Sequence, residues 1–197
     1  QICALELSPV LGLRLGVPEA AFSSVTFPQV DRGVITDLAP GGGYTSSTEL
    51  ALWGLELDEP WSDELPDDAQ DPAVVDADDD GRPGVTFEIG QGTCDRYTVQ
   101  RQLIRYQGLL VAPNRVEGSS VTFTESRALG GTSSVCTIAP PVRSNDALSS
   151  FVMVRVDGQG GAFDADVDAD GQITCQEVRQ LGVLLNPGRE PDAENCR

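Results

Sequence analysis

The chain has no histidine, and all thirteen of its basic residues are arginine, so lysine is missing as well. Without histidine there is no Ser-His-Asp or Cys-His catalysis, no His-ligated zinc and no CxxCH haem attachment. Without lysine there is no Walker-type phosphate loop and no Schiff-base or pyridoxal chemistry. Cysteines never occur as a CxxC pair, which argues against thiolate metal clusters and thioredoxin-type redox motifs. No apolar run reaches the roughly 20 residues that span a bilayer, so no transmembrane helix is expected. Arginine as the sole base fits the codon bias of a high-GC bacterium. An acidic, lysine-free surface would also suit a saline habitat.

What is abundant is acid: 31 Asp and Glu against 13 bases, a formal charge of −18 on 197 residues. Such a charge repels nucleic acid and anionic lipid, so nucleic acid is excluded as a partner. The length suits one ordinary domain with a small appendage. Twenty-one Gly and 13 Pro make the chain rich in turns.

Five scattered cysteines in an acidic chain fit an exported protein with disulfides, placed outside the cell, in a periplasm or on the outer cell surface. Cys175 with Cys196 is the first expected pair and Cys94 with Cys136 the second, leaving Cys3 as a buried thiol or a link to another chain.

Short apolar segments dominate. Residues 2–16, Ser23–Phe27, Gly33–Leu38, Glu49–Leu57, Val85–Ile89, Arg96–Ala112, Ser119–Arg127, Ser133–Ala139 and Ser149–Asp157 read as strands, and Ala39–Ser46 as a loop. Only Thr174–Leu185 has helical spacing, stopped by Asn186-Pro187-Gly188. The expected fold is therefore mainly β, an antiparallel sandwich or barrel with a C-terminal calcium loop and one short helix. Residues 1–157 would form the β-rich domain, and 158–197 a loop and helix packed on it. Residues 58–80 carry eleven acids and no base, and Pro60, Pro66 and Pro72 forbid a regular element there. Free of ligands, this stretch should repel itself and stay extended.

Two segments carry chemistry. The first runs from Asp166 to Glu177. Asp166, Asp168 and Asp170 stand at positions 1, 3 and 5, Gly171 at the sharp turn, and Glu177 at position 12. The Gln172 carbonyl and Thr174, through a water, would complete the set. Calcium is a hard cation that takes six to eight oxygens at about 2.3–2.6 Å, and alternate aspartates in a tight turn converge on one point. The segment resembles the EF-hand family and the loop-helix half of dockerin-like modules, over about 20 residues. It follows a strand and a Gly-rich turn instead of an entering helix, so the resemblance implies a fixed structural ion and not a calmodulin-like switch.

The second segment repeats positions 1, 3, 5 and 6 in Asp76, Asp78, Asp80 and Gly81, with the Arg82 carbonyl at position 7. Phe87 replaces the bidentate acid. This segment is similar to the DxDxDG loops of thrombospondin type 3 and FG-GAP repeats, which precede strands. Its further ligands would be Glu88, or Asp67, Asp68 or Asp71. The sequence thus points to two Ca2+ sites in a non-enzymatic, secreted or cell-surface structural or adhesive protein, with protein partners or copies of itself in an extracellular assembly. Two alternatives remain. A carbohydrate- or ligand-binding module would use Trp53, Trp61, Tyr44, Tyr97 and Tyr106. A calcium-dependent hydrolase would use acids such as Glu56, Glu88 and Glu125.

Overall fold

The computed structural model describes residues 15–16, 19–29, 33–89, 94–138, 149–159 and 163–181. Cys3, Cys196 and most of the 2–16 segment lie outside the described residues.

The elements in chain order are β1 (Leu15–Gly16), α1 (Glu19–Ser24), β2 (Thr26–Gln29), β3 (Val34–Ile35), β4 (Gly43–Thr45), β5 (Glu49–Trp53), β6 (Val85–Ile89), β7 (Cys94–Ala112), β8 (Arg115–Gly131), β9 (Ser150–Val154) and α2 (Cys175–Gln180). The protein is mainly β and antiparallel, as the alternating segments predict. Among the described residues all nine strands belong to one sheet, and that sheet is not closed into a barrel.

β7 organises everything else. Its 19 residues mix polar and apolar runs, and it pairs with β8 from Arg96 to Ala112, almost its whole length. Pro113 and Asn114 form the connection between Ala112 and Arg115, where the fixed φ of proline suits the first turn position. The opposite edge of β7 is shared end to end by three short strands. β6 pairs at Cys94–Thr98, β5 at Gln100–Ile104 and β4 at Gln107–Leu109. β9 extends the sheet beyond the tip half of β8.

Because β5 is apolar at consecutive positions, both of its faces are buried. Ala51 and Trp53 pack with Val85 beneath Ala21 of α1 and Val25. On the other side Leu50 and Leu52 pack with Val99 beneath Leu55 and Leu65. The layers over the sheet at this level are thus one helix and one irregular segment. A third cluster joins Tyr44, Leu110 and Val116 near the hairpin tip, where the Tyr44 and Phe151 rings lie 6.1 Å apart.

The irregular cover is the acidic stretch. It has no regular element, as its prolines require, but it is folded against the sheet instead of extended. It leaves β5 at Gly54, returns through the Leu55–Val74 bridge, and rejoins the sheet at Gly84. Gly54 and Gly84 both have left-handed φ (65° and 82°). A Cβ on Gly54 would strike the Gly84 backbone, and one on Gly84 the Thr98 carbonyl, so the two ends of this flap cross where only glycine fits. Arg101 holds the flap down. Its guanidinium donates to the carbonyls of Pro60 (3.1 Å) and Asp63 (2.8 Å) and to Glu125 (2.6 Å). Arg127 adds a 3.0 Å ion pair with Asp67.

Four local expectations are corrected. Ser23–Phe27 is split between the end of α1 and β2, because Glu19 and the alanine pair after it favour a helix that runs to Ser24. Ala39–Ser46 contains β4, which gains partners from β7 and β3. Glu49–Leu57 ends as a strand at Trp53 because Gly54 turns the chain. Ser133–Ala139 forms turns over its described residues, with the Cys136 amide donating to the Ser133 carbonyl (3.0 Å), and the Cys94–Cys136 disulfide ties it back to the start of β7. That disulfide is one of the two expected pairs, with Cα atoms 5.5 Å apart.

Candidate metal centres

Each aspartate-rich loop begins where a backbone bridge releases the chain. Asp76 bridges Gly84, and the Ala77 amide donates to the Gly84 carbonyl (2.9 Å). The second loop leaves an Asp157–Asp164 bridge, with the Ala165 amide bonded to the Val156 carbonyl (2.9 Å).

Between these anchors the two loops fold alike. At position 4, Asp79 (φ 56°) and Ala169 (φ 59°) are left-handed, and so are the position-6 glycines Gly81 (φ 79°) and Gly171 (φ 84°). At position 1, Asp76 and Asp166 each accept from the amides at positions 5 and 6. The distances are 3.2 and 2.8 Å in the first loop and 3.0 and 2.9 Å in the second. Asp80 and Asp170 each accept from the amide at position 7 (2.7 Å in both loops), that of Arg82 and Gln172. Short aspartate side chains that bond amides a few residues on are what wrap such a turn.

The result is two clusters that can hold a metal ion: Asp76, Asp78 and Asp80, and Asp166, Asp168 and Glu177, with oxygens within 4.8 Å of one another in each. The donors are all hard oxygens, as a hard divalent cation requires. Asp170 lies outside the second trio. Glu88 lies outside the first, on β6 between Gly16 and Asp95. Arg82 sits at the turn with its guanidinium 5.4 Å from the Tyr97 ring centre, which ties the loop tip to β7.

The clusters differ in how their acids are satisfied. Glu177 is 8% exposed and lies in the first turn of α2. It accepts from the Thr174 amide and hydroxyl (2.8 Å each) and the Val167 amide (2.9 Å). The Thr174 amide, then its hydroxyl, hold the Glu177 carboxyl below the usual range. Asp78 is also 8% exposed, but only Oδ2 is used, by the Thr86 amide (2.9 Å). Its Oδ1 is buried with no hydrogen-bond partner. Burial pushes the Asp78 carboxyl up, the Thr86 amide pulls against it, and the Asp80 and Asp76 charges push further. A buried carboxylate oxygen without a donor, beside two more carboxylates, is a strongly unfavourable arrangement unless a cation supplies the missing charge.

The sequence reading missed Thr86. Its amide bonds Asp78 and its hydroxyl bonds Asp80 (2.6 Å), so β6 itself braces the first cluster. No spacing rule marks it, because its role comes from the loop folding back beside the strand it precedes.

Of the aromatic residues considered for a sugar platform, Tyr44 and Trp53 are buried and Tyr106 packs edge-on against Phe151 at 5.1 Å. Glu125 is bonded to both Arg101 and Arg127. No protein-family model, curated protein or solved structure matches the chain.

Proposed function

We propose that this chain is a secreted or cell-surface calcium-binding protein with a structural or adhesive role, a subunit of a larger extracellular assembly. The observation that carries this reading is the unpartnered, buried Oδ1 of Asp78 within the Asp76–Asp78–Asp80 cluster. Calcium is favoured because the loops offer carboxylates, carbonyls and a threonine hydroxyl in a flexible turn, and calcium accepts six to eight such oxygens where magnesium demands a small octahedron. At Asp76–Asp80 the ion would join the end of the flap to β6 through Thr86. At Asp166–Glu177 it would fix the start of α2. The Cys94–Cys136 disulfide supports an oxidising compartment, where free calcium is also high.

Equilibrium dialysis with radiolabelled calcium tests the reading. Two ions per chain are expected, one for Asp78→Asn and one for Glu177→Gln. Absence of saturable calcium binding in the intact chain refutes it.

A further inference from the structure

The flap covers one face of the sheet only at the foot of the β7–β8 hairpin. Toward the tip, the same face carries Leu109, Val121, Phe123 and Val152, between 45% and 60% exposed. Register places them together. Phe123 stands opposite Leu103, Val121 opposite Arg105, and Glu117 lies between Leu109 and Val152. The strip holds an open groove whose walls include Leu103, Arg105, Gln107, Val121 and Phe123, with no acid among its lining residues. Arg105 is exposed and takes no part in the ion pairs among the described residues, in a chain with more than two acids per base.

The same molecule displays the complement of this groove. Trp61 is 48% exposed at a turn of the flap, with Asp58, Glu59, Asp63 and Glu64 within three residues of it. The turn is held by the Ser62 amide on the Glu59 carbonyl (3.0 Å) and by Arg101 on the flanking Pro60 and Asp63 carbonyls. The indole is thus presented from a fixed backbone, which lowers the ordering cost of docking it.

We propose that a second copy of this chain docks on the strip, with the acid-flanked Trp61 turn of one copy seated in the Arg105 groove of the other. Charge selects this occupant. Residues 104–124 contain two arginines and one acid, whereas residues 58–80 contain eleven acids and no base. A contact between these two regions brings acid to base, while most other pairings of two copies at −18 bring acid to acid. Trp and Arg are also the residue types that most often anchor such contacts. Made reciprocally, the contact closes a dimer. The proposal rests on the reading of the chain as an assembly subunit and supplies that subunit's self-contact.

Sedimentation equilibrium of the full chain in saturating calcium tests it. The mass should rise from the 20.9 kDa monomer toward the dimer as concentration increases. Trp61→Ala and Phe123→Glu, both at exposed positions, should each weaken association by about 30-fold, and Arg105→Glu by about tenfold, with melting temperatures unchanged. Mixing Trp61→Ala, which keeps the groove, with Phe123→Glu, which keeps the indole, should restore association above that of either alone. A chain that stays monomeric up to about 1 mM overturns the proposal and leaves the strip to an unlike partner. Association that survives these substitutions, or a mixture that gains nothing, overturns it as well. Normal calcium binding by a monomeric chain overturns the docking proposal alone. A chain that dimerises without binding calcium overturns the calcium reading and leaves the contact standing.

Discussion

Replacing Asp78 by Asn should change stability in opposite directions with and without calcium. The carboxylate is 8% exposed, and its Oδ1 has no partner. In the metal-free protein, Asn keeps an oxygen acceptor for the Thr86 amide and turns the orphaned oxygen into a donor facing the Asp76 and Asp80 carboxylates. Removing an unpaired buried charge in this way should raise the melting temperature in excess chelator. With calcium the order reverses, because Asn gives up a charged ligand. Extracellular calcium modules bind at about 10⁻⁴–10⁻³ M, so about 10 mM calcium is 10 to 100 times Kd. One site at that saturation contributes about 1.4–2.7 kcal/mol. For a chain of this size each kcal/mol is worth about 2–4 °C, so the wild type should gain about 3–11 °C from this site. The assay is differential scanning calorimetry of both proteins in chelator and in calcium. A variant that melts below wild type in chelator, or gains as much from calcium as wild type does, would refute the reasoning.

Four further outcomes follow from other parts of the molecule. Arg101→Ala should cost about 2–3 kcal/mol in urea unfolding, since it takes the donor from two flap carbonyls and leaves half-buried Glu125 with the longer Arg127 contact alone. Adding Glu125→Ala should recover part of that loss. Gly81→Ala and Gly171→Ala should each cost about 1–2 kcal/mol through left-handed backbone strain alone, because a Cβ at either position meets nothing within 4 Å. Leu65→Ala should cost about 2–5 kcal/mol and speed amide exchange along β5, which it covers. By NMR, the Asp157 carboxyl should titrate below 3.8, chiefly because the Arg155 guanidinium bonds it, and Arg155→Ala should bring it back up. The sign is that of a lowered acid: its small stabilisation is present above 3.8 and is lost as pH falls through the folded value.

Much of this was legible in the sequence, for reasons that differ by element. Val85–Ile89 alternates cleanly, Ser150–Val154 is a short run rich in β-branched and aromatic residues, and both are strands as expected. The spacing of Asp166, Asp168 and Glu177 and of Asp76, Asp78 and Asp80 specifies tight acidic turns, and the turns form. The reach of β8 to Gly131 was not legible, since glycines there carry no strand signal and the pairing comes from β7. Nor was the cover over β5. Leu65 is isolated among acids and prolines, and Arg101 and Arg127, distant in sequence, bring that segment down. Thr86 became a ligand brace through the same kind of tertiary return.

The disulfide joins the two feet of the longest hairpin, Cys94 at the first residue of β7 and Cys136 five residues past the end of β8. A slip of two residues between these strands would keep every side chain on its proper face, so burial alone discriminates weakly against it. It would also slide Cys136 about 7 Å along its neighbour, out of range for oxidation. Closure of this bond would therefore favour the observed register over its two-residue slip. Only correctly aligned chains can be sealed, and a misaligned one keeps its two free thiols and is open to another attempt.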